Sequence, residues 1–160
     1  MFKKMILFIG FIYLITGCTS QQVKKQESAF IVMKTKKMKF ADMGFIYDLE
    51  SKVKIEIYAA GQPLVDLEIN AQNICLSTFQ CMEKKTFNEQ FLVAKYPETL
   101  LENIFKAKPI FAKTNLVKSE DGFKQIIKKD GVYDISYSVK SGQRTFRDTI
   151  NKILIKVREQ

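Results

Sequence analysis

Two of the three cysteines in this 160-residue chain, Cys75 and Cys81, enclose the short run Leu-Ser-Thr-Phe-Gln. In an oxidising compartment such a pair reads as a disulfide closing a small loop. The spacing is unlike the C-x-x-C of a redox enzyme, and two thiols without histidine make a poor metal site. The chain has no His and no Trp, so the commonest general base and commonest metal ligand are missing. Asp42, Asp48 and Glu50, or the adjacent Glu120-Asp121, would be the carboxylates for glycoside hydrolysis, but acids near turns are ordinary surface residues. Ser77, Thr78 and Ser136 have no base partner in the sequence. Tyr133 and Tyr137 alternate along a strand and suit core or cavity lining better than acid catalysis. There is no nucleophile elbow, Gly-rich phosphate loop or metal-ligand spacing. The expectation is a protein that is not an enzyme and uses no metal or cofactor.

The third cysteine, Cys18, ends the stretch Leu14-Ile15-Thr16-Gly17-Cys18, which follows Lys3-Lys4 and an apolar run from Met5 to Tyr13. A basic start, a short apolar segment and small residues before a cut site describe a secretory signal. The apolar run is shorter than the roughly 20 residues a membrane span needs. Leu-x-x-Gly-Cys at the end of such a signal resembles the lipobox of bacterial lipoproteins. The resemblance implies a signal peptide over 1–17, cleavage before Cys18, a thioether-linked diacylglycerol on its sulfur, and an amino group open to further acylation such as palmitate. Membrane lipid is then a partner through the Cys18 acyl chains. Thr19-Ser20 stand where, in that family, an Asp holds a lipoprotein at the inner membrane. Their presence favours the outer membrane, with the protein on its periplasmic face.

The whole chain carries +9, and loss of residues 1–17 removes Lys3 and Lys4 but no acid, leaving +7. The lysines are scattered, many alternating with apolar residues as in Lys52-Val53-Lys54-Ile55, which is the pattern of a solvated strand face rather than a nucleic-acid surface. An anionic membrane surface is the partner this charge suits, and no nucleic-acid partner is expected.

Residues 18–28 are polar and without period, and read as a lipidated tether. From Ala29 the chain turns to strands. Val53, Ile55 and Ile57 alternate with charged residues, as do Val65, Leu67 and Ile69, with a turn at Ala59-Ala60-Gly61-Gln62-Pro63 between them. Gly44 suggests a bulge or close backbone approach. Leu64 falls beside the turn, out of phase with the apolar set. Thr86 to Leu92 has the start of a helix, and Pro97 suits the first position of a second one. There Leu100, Leu101, Ile104 and Phe105 make an apolar stripe. Ile110-Phe111 and Leu116-Val117 read as short strand pieces. Asp130-Gly131 marks a hairpin before Tyr133, Ile135, Tyr137 and Val139. The fold class is therefore α+β and mostly β. One domain over 29–160 holds a strongly curved antiparallel sheet with a two-helix insertion, and such a sheet can close as a barrel or wrap its concave face around the inserted helices.

This order of elements is similar to that of the LolA/LolB lipoprotein carriers: hairpins first, helices near the middle, then Gly122-Phe123-Lys124-Gln125 and a final pair of strands. The helix Leu100-Leu101-x-x-Ile104-Phe105 with its Pro109 exit resembles that family's helix before its later strands. The resemblance implies an incomplete barrel, covered by helices, whose apolar cavity holds lipoprotein acyl chains. Candidate lining residues are Phe40, Ile55, Ile57, Val65, Leu67, Ile69, Leu101, Phe105, Ile135 and Tyr137. Leu64 is the candidate membrane-facing loop residue. The implied function is an outer-membrane-anchored lipoprotein that binds acyl chains and helps localise or insert lipoproteins, with other lipoproteins or a periplasmic carrier as partners. The other reading is a structural or assembly lipoprotein that scaffolds a partner without binding lipid.

Overall fold

A computed structural model describes residues 22–77 and 80–160. Cys18, the signal stretch and Thr78 lie outside the described residues.

Eleven strands form one antiparallel sheet in the order β6-β5-β4-β3-β2-β1-β11-β10-β9-β8-β7. The strands are β1 (Val23–Lys34), β2 (Lys39–Leu49), β3 (Lys52–Ala59), β4 (Gln62–Asn70), β5 (Asn73–Leu76), β6 (Cys81–Glu83), β7 (Leu116–Ser119), β8 (Gly122–Lys129), β9 (Tyr133–Lys140), β10 (Gln143–Asp148) and β11 (Ile153–Glu159). The sheet is curved and is not closed into a barrel. Its order follows from two meanders. The first runs outward from β1 to β6, the second runs inward from β7 to β11, and the β1–β11 pair joins them at the centre. The connection from β6 to β7 must therefore travel from one edge of the sheet to the other. Helices α1 (Lys84–Phe91) and α2 (Leu100–Phe105) are that connection.

Alternation puts one side chain in two on the covered face. Ala29, Ile31 and Met33 of β1, Val53, Ile55 and Ile57 of β3, Leu67 and Ile69 of β4, Ile135 and Tyr137 of β9 and Ile153, Ile155 and Val157 of β11 are buried there. They share one core cluster with Phe87 of α1 and Leu100, Leu101, Ile104 and Phe105 of α2. The apolar stripe of α2 thus meets the sheet as its spacing predicts. Gly44 is a close approach: a Cβ there would lie 2.2 Å from the Glu56 carbonyl oxygen. The β2–β3 pairing ends at Gly44↔Ile57, so the two strands part just past the point where their backbones touch.

Four boundaries differ from expectation. The first strand begins at Val23, inside the stretch read as tether, because backbone pairing with β2 (Val23↔Leu49 through Ser28↔Phe45) carries it while its side chains stay mostly exposed. Such a strand leaves no apolar period to read. Helix α1 begins at Lys84, two residues before Thr86, with no side-chain cap. Helix α2 begins at Leu100, not at Pro97, because the Pro97 carbonyl accepts from the Leu100 N–H in a preceding turn. Ile110-Phe111 is not a strand. Phe111, Ala112 and Lys113 all have positive φ and form a left-handed turn.

Candidate functional site

The helical crossover is held to the sheet by polar contacts as well as by its apolar stripe. Arg144 of β10 is 2% exposed and donates from Nη1 to the Phe105 carbonyl at 2.8 Å. This satisfies one of the carbonyls left open at the end of α2. Its Nη2 pairs with Glu27 and, at 3.0 Å, with Glu159. Burial opposes the charge on Glu27, but hydrogen bonds from Lys25 and Arg144 outweigh it and hold the carboxyl below its ordinary value. Lys106, just past α2, pairs with Asp48 of β2 at 3.1 Å and with Glu102 at 3.2 Å. Glu102 also takes the buried Lys84 of α1 at 3.2 Å, which ties the two helices together.

At the other end of the strands the connection is fixed twice more. The Tyr96 hydroxyl, in the link between the helices, donates to the buried Asp148 carboxylate of β10. Burial and that carboxylate push the Tyr96 phenol far above its ordinary value, so it stays a donor. Gln125 of β8 is fully buried. Its side chain accepts from the Ile110 N–H at 2.8 Å and donates to the Ile110 carbonyl at 3.0 Å and the Thr114 carbonyl at 2.7 Å. An amide side chain there replaces a missing strand partner. Sequence reading missed Arg144, Asp148 and Gln125 as inward residues. The available signal was parity: Arg144, Phe146 and Asp148 share one face of β10, and Phe146 is fully buried.

The ten candidate lining residues are brought together. Ile55, Ile57, Leu67, Ile69, Leu101, Phe105, Ile135 and Tyr137 are each at most 2% exposed, and Phe40 and Val65 are half-buried against them. Side chains therefore fill these positions. Tyr137 is the polar member, and its hydroxyl has no hydrogen-bond partner among the described residues. Burial pushes its phenol up, so it is neutral and able to donate.

An open groove of about 310 Å³ adjoins this cluster, lined by Met38, Phe40, Leu64, Val65, Leu76 and the polar Asp66, Ser77 and Gln80. Its floor continues inward: Val65 lies opposite Ile57, and Leu76 opposite Leu67. Leu64 is 54% exposed at its rim. The register there passes from Ile57↔Val65 to Tyr58↔Pro63, so Leu64 is the extra residue of a β-bulge, which explains why it is out of phase. A larger depression of about 610 Å³ lies at the β7–β8 edge, lined by Asn115, Val117, Lys124, Ile126 and Lys128. Those residues are not among the candidates.

Cys75 and Cys81 form a disulfide between directly opposed positions of β5 and β6. It closes the loop beside the groove rim. By the loop-closure argument, replacing both cysteines with serine lowers stability by about 2 kcal/mol. Urea unfolding with and without reductant checks this, and an unchanged midpoint for the serine variant would count against it.

Among the described residues no helix is long and apolar enough to cross a membrane. Compared with known proteins, the chain matches no family model and no curated sequence.

Proposed function

We propose that this protein is a lipid-anchored envelope protein that binds acyl chains and helps localise or insert lipoproteins, held at the outer membrane through Cys18. The observation that carries this reading is the apolar groove at Phe40, Val65 and Leu76, which runs into a curved, helix-covered inner face. Binding and transfer need no catalytic group, only apolar surface that a cargo chain can reach. Each buried methylene contributes about 0.8 kcal/mol, so a long chain is held by this term alone. A filled inner face suits a carrier without cargo, because an empty apolar cavity costs about 24 cal/mol per Å³. Cargo would enter at the groove and displace the crossover, and the Tyr137 hydroxyl offers an unused donor for an ester or amide carbonyl.

The anchor and Leu64 constrain how the domain sits. Val23 lies beside Leu49 at one end of the strands, and Leu64 projects beyond Ile57 at the other. Through Gly44↔Ile57 and Ala29↔Gly44, Leu64 is level with the middle of β1, about six residues or roughly 20 Å along from Val23, while the five residues Cys18 to Gln22 reach at most about 18 Å. An upright stance with the Leu64 tip on the bilayer would take the whole reach of that segment, whereas strands tilted toward the surface bring the Cys18 lipid and Leu64 to one bilayer without it.

The test is uptake of a fluorescent fatty acid by the purified mature protein. Phe40→Glu and Val65→Glu each put a charge into the groove and are expected to weaken uptake at least about tenfold, since burying an unpaired charge costs more than 1.4 kcal/mol. Wild-type protein that neither takes up the probe nor accepts a lipoprotein sinks the proposal. The scaffold reading, favoured by the packed state of the inner positions, then stands in its place.

A further inference from the structure

The outer, uncovered face of the sheet is divided in its electrostatics. On β3 and β4 the lysines are neutralised: Lys52 pairs across the strands with Glu68 at 2.7 Å, and Lys54 pairs with Glu56 of its own strand at 2.7 Å and across the strands with Asp66 at 3.5 Å. The central strands β2, β1, β11 and β10 differ. Their register sets out three adjacent rungs on the outer face, Lys39-Lys34-Leu154-Arg147, then Ala41-Val32-Lys156-Thr145, then Met43-Phe30-Arg158-Gln143. Five of these twelve positions are cationic and none is a carboxylate. The carboxylates nearest in sequence face elsewhere: Asp42 stands opposite the buried Ile31 on the inner face, Asp148 is buried, and Glu27 and Glu159 pair with Arg144 on the inner face. None of the five cations has an ion-pair partner among the described residues, and Arg158 instead stacks over Phe30 at 5.7 Å. Met43, 39% exposed, and the half-buried Phe30, Val32 and Leu154 lie between them.

We infer that this central strip is a docking face for an anionic phospholipid surface. Cations interleaved with apolar side chains match a charged headgroup layer over hydrocarbon. Position agrees, because β1 and β11 are the middle strands of the sheet and the helices cover its other face. The chain outside the described residues agrees as well: the segment bearing Cys18 leads directly into β1, one of the strands of the strip. Docking on this face lays the strands along the bilayer, an attitude in which the Cys18 lipid and the Leu64 tip both reach it. The inference rests on the anchored reading above, and the experiment separates the two.

Mature lipidated protein is mixed with vesicles of phosphatidylcholine alone, or with about one-third phosphatidylglycerol, and treated with a water-soluble amine-acylating reagent. Modification rates are read per lysine by mass spectrometry. On the anionic vesicles Lys34, Lys39 and Lys156 are expected to react about fivefold or more slowly than on neutral ones, with Lys52 and Lys54 unchanged. The protection should disappear in about 0.5 M salt, where the screening length is near 4 Å. The double variant K34E/K156E, with both changes on the solvent face, should lose it at low salt. Retention on both vesicle types with equal lysine rates overturns the docking face and leaves the anchor intact. Retention on anionic vesicles alone, with the same protection, supports the face and removes the anchor. Binding to neither overturns both.

Discussion

Arg144→Met is expected to lower stability by about 3–5 kcal/mol, the range for breaking a buried ion pair from one side. Among the described residues, Arg144 is the one cation that reaches both the end of α2 and the inner-face carboxylate of Glu27, whose side chain is 9% exposed. Its loss leaves the Phe105 carbonyl without that donor and Glu27 with only Lys25. The pH dependence carries a definite sign. The folded value of Glu27 is depressed, so its contribution is present above the ordinary glutamate range, near 4.3, and is lost as pH falls through the folded value. In the variant, burial is opposed by one partner instead of two, so this acid-side loss should shrink. Adding Glu27→Gln to Arg144→Met should restore part of the stability, since it removes the stranded charge. Urea unfolding at pH 7 and at about pH 4 checks both points. A single-variant midpoint equal to wild type at pH 7 would show that the pair contributes nothing.

Asp148→Ala should have an effect of similar size, about 3–4 kcal/mol, by a different route. This carboxylate accepts from the Tyr96 hydroxyl, from the backbone N–H groups of Asp134, Ile150 and Asn151, and from the Asn151 amide. Removing it orphans several donors at once, at about 1–3 kcal/mol for each that stays buried. Tyr96→Phe removes one of these contacts and should cost about 1 kcal/mol. The smaller change is the more informative, because Tyr96 lies on the crossover and Asp148 on the sheet. In Tyr96→Phe, amide hydrogens of Leu100–Phe105 should exchange faster while those of β1 and β11 keep their rates. If the crossover is the cover of an acyl-chain site, fatty-acid uptake should speed up in the same variant. Exchange that rises equally in every element would show that Tyr96 stabilises the whole domain and does not fasten the cover.

The periodic parts of the fold were legible residue by residue. Val53-Ile55-Ile57 and Ile135-Tyr137 declare their inward face through two-residue spacing, and Leu100, Leu101, Ile104 and Phe105 declare theirs through helical spacing. Gly44 signalled a close approach, whereas Leu64 showed only as out of phase, and the bulge that explains it came from the register. The start of β1 was not legible, since Val23–Ser28 is held by backbone pairing and shows no buried side-chain pattern to read.

By itself, then, the amino-acid sequence determined the mostly-β class, the hairpin strands with a helical insertion between them, and the disulfide pair, because each depends on neighbours a few residues apart. Only the tertiary structure decided which polar residues turn inward and which cations stand unpaired. Glu27 and Arg144 are 117 residues apart, and Tyr96 and Asp148 are 52 apart. Burying a polar side chain costs least beside a partner, and no local period records a partner that distant. The central cationic strip has the same origin. Lys39, Lys34, Arg147, Lys156 and Arg158 come from four strands, and it is the joining of the two meanders at β1 and β11 that sets them side by side.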